Sequence, residues 1–377
     1  MEFNKKTLGE ICEIVTDYVA NGSFKSLAEN VNYQNSGVAR VVRLVDFNNK
    51  WSLNDSIWVD EHGYEFLKKS KLYGGEIILT NVGANLGTVF IVPNLPYKMT
   101  LGPNAVMLKS KEEDLYLYYW LISSEGKNKV KSIVTGSAMP KFNKTDLKNI
   151  EIRIPDIYNQ RKIVKVLKVI DKKIEVNNQI NDNLQKFGLE MITQEMKKDA
   201  TNNLRNIIRF IKGKKPLNIS KNKKENYLPY LTIANLNNQE NLYASIEKVL
   251  IAEKDLLMVM DGASSGDIYY SDYGIVGSTL AKIEILDDSY NQASIYFIIK
   301  YFSEYIKSKN TGSAIPHTDK EIVYKLIVPD IYNQKTYENI LNTILENNKQ
   351  NKKLEQLRDT LLPKLMNGEI DLDKIEI

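Results

Sequence analysis

The passage "TGSAMPKFNKTDLKNIEIRIPDIYNQ", residues 135 to 160, returns near the far end of the chain as "TGSAIPHTDKEIVYKLIVPDIYNQ", residues 311 to 334. The likeness extends upstream of this passage. "GEIILTNVGANLGTVF" (75–90) aligns without gaps on "KDLLMVMDGASSGDIY" (254–269), which puts Gly83 on Gly262 and Gly87 on Gly266. "VVRLVDFNN" (41–49) faces "YLTIANLNN" (230–238), and "LGEICEIV" (8–15) pairs more loosely with "LRNIIRFI" (204–211). The order is the same in both halves, and a period this long excludes a solenoid of short repeats. Residues 1–198 and 199–377 are therefore two copies of one unit.

Each copy divides in two. Its first part is a succession of short runs rich in Val, Ile, Tyr and Thr with Gly and Asn at the breaks, such as "ARVVRLVDF" and "GEIILT" in one copy and "PYLTIANL" and "LAKIEIL" in the other. This is the pattern of strands joined by turns. The repeated Gly-x-x-x-Gly follows an apolar strand in each copy and marks a tight turn or a close backbone approach. It is not a P-loop, since no Gly-Lys-Ser/Thr follows.

The second part of each copy reads as a long helix. After "PDIYNQ" no proline or glycine occurs until Gly188 in one copy and Pro363 in the other. Steps of four and three select a seam of Val166, Ile170, Lys173, Asn177, Ile180, Leu184, Phe187 and Met191 in the first helix. In the second they select Ile340, Ile344, Asn347, Asn351, Leu354, Arg358, Leu361 and Leu365. Asn177 and Asn351 align, and a buried Asn at a seam trades stability for register; the other reading puts these amides on the surface of a shorter helix pair. Asp156 and Asp330 are expected to cap the helices, with Gln160 and Gln334 in the first turn. A helix of about 40 residues spans roughly 60 Å. An antiparallel return by the second helix would hold two similar α+β globules at opposite ends, related by an approximate two-fold axis. The expected fold is thus α+β, two mixed α/β domains on an antiparallel coiled-coil pair, with domains at 1–154 and 199–328 and helices at 155–198 and 329–377.

Catalytic motifs are missing. Two histidines and one cysteine among 377 residues cannot supply a multi-cysteine zinc site, and Cys12 reads as a small core residue. No Gly-x-Ser-x-Gly elbow or Gly-x-Gly-x-x-Gly fingerprint occurs. No run of 18 apolar residues and no signal-peptide pattern appears, so a cytoplasmic location without membrane contact is expected.

The net charge of +4 says little by itself, but its distribution says more. Between Lys197 and Lys224 ten basic residues face one acid, Asp199. Such a cluster is either an electrostatic footprint for phosphate or a solvated linker. Two similar globules on a rigid spacer suit a reader of two separated DNA sites. The turn after the third strand offers Asn81 and Asn85 in the first copy, and Asp261, Ser264 and Ser265 in the second, as groups that either pair with base edges or cap their own turn. Lys141 and His317 occupy matching positions after "GSAMP" and "GSAIP". With Arg43, Lys212, Lys214 and Lys215 they are candidate phosphate or base contacts.

The doubled "GSAMPKFNKTDLKNIEIRIPDIYNQRKIVKVLKVIDKKIEVNNQI" arrangement, the "GEIILTNVGANLGTV" turn and the closing "LRDTLLPKLMNGEI" resemble the specificity subunit of type I restriction-modification systems. The resemblance covers nearly the whole chain. It implies two target recognition domains, each reading one half of a split double-stranded DNA sequence. It also implies spacer helices that set the spacing and dock two modification subunits. Adenine methylation and S-adenosylmethionine would belong to those partners, and ATP and Mg to restriction subunits, with no cofactor or metal in this chain. The sequence departs from the pattern at "DIYNQKTYENIL", where Tyr337 stands in place of an aliphatic seam residue. A coiled-coil scaffold that joins proteins without touching DNA is the other reading; its binding to a random duplex would lack the steep salt dependence of a DNA reader.

Overall fold

In a computed structural model, residues 2–237, 240–312 and 316–372 are described. The central part of the second "TGSAIP" lies outside them. The chain forms two compact units, Met1–Ile174 with Lys352–Ile377, and Glu175–Asn351. Each of the two long helices, Ile157–Glu195 and Gln334–Met366, contributes one segment to each unit.

The first unit contains a four-stranded antiparallel sheet in the order Cys12–Asp17, Ala105–Ser110, Ile77–Thr80, Val89–Ile91. The second unit repeats it as Ile208–Lys212, Leu280–Ile285, Leu256–Val259, Ile268–Tyr270. Asp17 lies opposite Val106 and Lys212 opposite Ala281, so Lys212 takes the place that Asp17 has in the first unit. A smaller mixed sheet accompanies each, built around a parallel pair: Ala39–Val42 beside Lys98–Leu101, and Tyr230–Leu231 beside Ile275–Val276. The central strands Ile77–Thr80 and Leu256–Val259 are buried along their whole length, as continuous apolar runs require.

One face of each main sheet packs on the short helices and on the long-helix segments of its own unit. In the first unit Ile77, Leu79, Tyr116, Trp120, Ile163, Leu167, Leu362 and Leu365 share one core. In the second the core joins Met258, Ile283, Phe297, Tyr337, Ile340 and Ile344. Cys12 is buried in the first of these cores, and burial, helped by the nearby Asp114, pushes its thiol up to about 12. A thiol so far from ionisation is no nucleophile.

The seam of the second helix follows the expected positions: Ile340, Ile344, Asn351 and Leu365 are buried and Leu354, Arg358 and Leu361 half-buried. That of the first helix follows only every second one. Ile170, Asn177 and Leu184 face inward, but Lys173, Ile180 and Phe187 are exposed and Val166 is only half-buried; the intervening seam positions are Leu167, Ile174, Asn181 and Gly188. At Ile180 and Phe187 choosing the apolar residue misplaces the seam by one, because the inward positions 181 and 188 carry an amide and a glycine; at 166 and 173 the strict four-three step itself falls one residue short of Leu167 and Ile174. A Cβ at Gly188 would meet the ring of Phe297, so the glycine makes room for it.

The amides of the second unit form a ladder of two linked sets. Asn177 Nδ2 donates to Asn351 Oδ1 and to Gln350 Oε1, both at 2.8 Å, and Asn351 donates in turn to Asn178 at 2.9 Å. Asn347 donates to Asn181 at 2.8 Å and Asn181 to Asn348 at 2.9 Å. Partner numbers fall as positions rise, so these segments are antiparallel. In the first unit the two helix segments are joined by an ion pair: Arg358 donates to Asp171 at 3.0 Å, and the Tyr119 hydroxyl donates to the same carboxylate at 2.7 Å.

The two junctions differ in detail. Asp156 caps the first helix, its carboxylate accepting from the Asn159 amide at 2.9 Å. Asp330 does not cap the second, which begins only at Gln334; its carboxylate accepts from Asn202 instead. Gln160 and Gln334 tie their helix starts to neighbouring chain: Gln160 donates to Glu112 and the Pro155 carbonyl, and Gln334 accepts from the Asn291 amide at 2.7 Å.

Candidate nucleic-acid interface

The strand Ile77–Thr80 ends in a turn that Gly83 and Gly87 make possible, with φ of 93° and 88°. Gly262 and Gly266 do the same after Leu256–Val259, with φ of 108° and 94°. Side chains other than hydrogen resist this left-handed region. The turns share their backbone bonds: Gly87 donates to Thr80 and Gly266 to Val259, each at 2.9 Å. A second piece meets each turn. Thr135 pairs with Lys141 and Thr311 with His317. Gly83 then donates to Pro140 and Gly262 to Pro316, both at 2.9 Å, while Val82 bridges Lys141 and Asp261 bridges His317. Two loops that lie some 50 residues apart in sequence thus form one edge in each unit.

The side chains on this edge differ between the units. In the second, Asp261 receives the His317 Nδ1 at 2.8 Å and the Lys212 ammonium at 3.0 Å. Partial burial pushes its carboxyl up, but the hydrogen bonds and charges of His317 and Lys212 outweigh this and hold it below the ordinary range. It faces a cavity of about 300 Å³ lined also by Phe210, Met260, Thr318 and Lys320. In the first unit Val82 replaces the carboxylate and Lys141 replaces the imidazole. Asp17, in the place of Lys212, accepts from Lys144 at 2.7 Å and from the Ala20 amide at 2.9 Å, so its charge is engaged locally.

Asn85 is exposed on the first turn and Ser264 half-buried on the second, while Lys141, Lys214 and Lys215 are exposed. Ser265 is not on the surface: it is 1% exposed, and its hydroxyl lies 2.7 Å from the Gly262 carbonyl and 2.8 Å from that of Pro316, fastening the turn to the second loop. Asn81 also turns inward, donating to the Phe142 carbonyl. Arg43 is occupied by Asp46 and by the Asp55 carbonyl. It belongs to a buried arrangement in which Arg40, fully enclosed, donates to Asp46 at 2.7 Å and to the Trp51 and Ser52 carbonyls, ordering residues 50–55. The basic run is divided as well. Lys198, Arg205, Arg209 and Lys212 pair with Glu195, Glu321, Glu284 and Asp261, whereas Lys214, Lys215, Lys221 and Lys223 stay exposed.

Sequence reasoning missed Asp17 and Lys144, which become visible only when strand register shows that Asp17 and Lys212 share a place. It also missed Lys320, whose position follows from the repeat once His317 is matched to Lys141. Among the described residues no group of His, Cys, Asp and Glu side chains is arranged to hold a metal, and no helix is long and apolar enough to cross a membrane.

A family model described as the type I restriction modification DNA specificity domain matches residues 1–186 and again 197–357. The type I restriction enzyme MjaVIII specificity subunit of Methanocaldococcus jannaschii is 30% identical over 174 residues, which cover 42% of this chain and 39% of that protein. The putative type I restriction enzyme MjaX specificity subunit of the same organism is 23% identical over an alignment covering 98% of this chain and 96% of that one. The crystal structure of the S subunit of a type I restriction-modification system from M. genitalium has the same fold, with a TM-score of 0.57 at 17% identity over 97% of this chain and 96% of that chain.

Proposed function

The chain belongs to the type I restriction-modification DNA specificity family and carries the family's domain twice, and from that premise we propose that each unit reads one half of a split duplex target through the edge where its glycine turn meets its second loop. The observation that carries this reading is a contrast within the edge. The backbone bonds from Gly83 to Pro140 and from Gly262 to Pro316 are the same length, yet Val82 and Lys141 on one edge become Asp261 and His317 on the other. A scaffold that keeps its backbone and changes its outward groups suits two recognisers of different sequence. The exposed Lys214, Lys215, Lys221 and Lys223 supply cationic groups for phosphate.

On this reading the chain contributes recognition, and the long helices dock two modification subunits, which supply S-adenosylmethionine and transfer the methyl group; restriction subunits, where they join, supply the ATP- and Mg-dependent steps. The test is methylation mapping in cells that carry this chain with its modification partner. Replacing residues 1–154 by the matching region of a relative is expected to change one half of the methylated motif and leave the other intact. A change in both halves, or methyl transfer by the purified chain alone, would overturn the assignment.

A further inference from the structure

The second unit holds a carboxylate at a place where DNA would repel it unless it had a purpose and an escort. Asp261 sits on the Gly262 turn with its side chain 25% exposed, and each oxygen has one cationic or imidazole partner, His317 on Oδ1 and Lys212 on Oδ2. A carboxylate offers about four acceptor sites. Two are filled here, so acceptor capacity remains on the side open to solvent. The same escort offsets the repulsion from phosphate: His317, Lys212 and Lys320 surround Asp261 and Asp319 around the cavity. Of these, Asp319 is engaged in capping its own helix through the Glu321 amide.

The first unit is the internal control. Its edge has no carboxylate at the matching turn position, since Val82 is there, and two carboxylates nearby are engaged: Asp17 is tied to Lys144 and a backbone amide, and Asp146 accepts from the Asn143 side chain. What it presents is the exposed Lys141, a donor. In the major groove, donors such as Lys select the O6 and N7 acceptors of guanine, whereas a carboxylate accepts from an exocyclic amine, that of cytosine N4 foremost.

We propose that Asp261 is the specificity-determining acceptor of the second unit, selecting in its half-site a base with an exocyclic amine in the major groove. His317 and Lys212 are positioning residues that keep the carboxylate ionised and aimed. This rests on the reading of both units as DNA recognisers.

The experiment is selection from a random duplex library by the full chain assembled with its modification subunits, for the natural protein and for Asp261→Asn, Asp261→Ala and His317→Gln. The natural protein is expected to select a split motif with cytosine or adenine at one position, and quantitative binding then compares C·G, A·T and T·A pairs there. Asp261→Ala should lower the preference at that single position about tenfold and leave the other half unchanged. Asp261→Asn, which is isosteric and keeps the fold should the alanine variant lose it, should move the preference toward adenine, because an amide both donates and accepts. His317→Gln should keep the preferred base while weakening discrimination. Asp261 variants that weaken all sequences alike, or alter no position, would overturn the assignment of Asp261 while leaving DNA recognition standing. A natural protein that selects no sequence would overturn both.

Discussion

Counting from the shared Gln160 and Gln334, the first unit places Ile163 and Leu362 in its core where the second places Tyr337 and Gly188. Tyr337 is larger than Ile163 and Gly188 far smaller than Leu362, so bulk gained on one helix is given up on the other. In the second unit Tyr337 is fully buried against Phe297, with ring centroids 5.4 Å apart, and Gly188 on the other long helix gives that ring its space. The departure at Tyr337 is thus absorbed inside its own unit. The same counting sets Asp171 and Arg358 of the first unit against Leu345 and Leu184 of the second, an ion pair against an apolar pair. The backbone plan is kept, and the identity of each side chain is free to move provided a neighbour compensates.

The most severe way to break this compensation is Gly188→Leu, which restores to the second unit the residue the first carries at Leu362. With Tyr337 in place it should destabilise the second unit by about 3 kcal/mol, lowering its calorimetric transition by roughly 10 °C. Adding Tyr337→Ile should return at least half of the loss. A double variant no better than the single would mean that the two positions do not share one space.

A smaller effect is expected at the ion pair. Asp171→Leu alone leaves the Arg358 guanidinium without its main acceptor and the Tyr119 hydroxyl without a partner, at a cost of about 1–2 kcal/mol in urea unfolding, since both charges are only partly buried. Asp171→Leu with Arg358→Leu recreates the second unit's apolar pair and should recover the part of the loss that comes from the stranded guanidinium, while the Tyr119 hydroxyl stays without its acceptor.

Tyr337 carries a further signature. Its hydroxyl is buried and has no hydrogen-bond partner among the described residues. Tyr337→Phe should therefore be neutral or stabilise the second unit by up to about 1 kcal/mol, and a clear destabilisation would reveal a partner for the hydroxyl.

The repeat, the strand-rich first parts, the two long helices and the glycine turns were all legible in the sequence, because each leaves a local pattern. The seam of the first helix was half legible. Its inward face includes Asn181 and Gly188, and a rule that seeks apolar residues steps past them to Ile180 and Phe187. Of the candidate readers, Lys141, Asp261 and His317 do meet at the turn edges of their units. Ser265 and Asn81 look outward in a list of polar residues, yet in the fold they fasten their own turns, as short polar side chains beside glycines often do. Arg43 could not be told from a phosphate contact without knowing that Asp46 and a carbonyl from residue 55 surround it. The missed pairing of Asp17 with Lys144 depends on strand register, which no short motif encodes.

The smallest expected contrast lies at the junctions. Hydrogen bonds from Asn159 hold the Asp156 carboxyl below its ordinary range, so its contribution is full above the unfolded value near 3.8 and is lost as pH falls through the lower folded one. Amide exchange at Asn159 should accelerate in that acid window and on Asp156→Ala, whereas Asp330→Ala should leave exchange at the start of the second helix unchanged. Equal responses would mean that Asp330 caps after all.

The amide ladder of Asn177, Asn351, Asn181 and Asn347 has a consequence for any assembly built on these helices. Carboxamides neither ionise across the range in which proteins work nor attract counterions, so the register they enforce is blind to acidity and to ionic strength. A pairing keyed this way keeps its alignment while the electrolyte around it changes. Any salt dependence in the pairing of the two helices must then come from elsewhere, such as the partly exposed ion pair of Asp171 and Arg358 in the first unit.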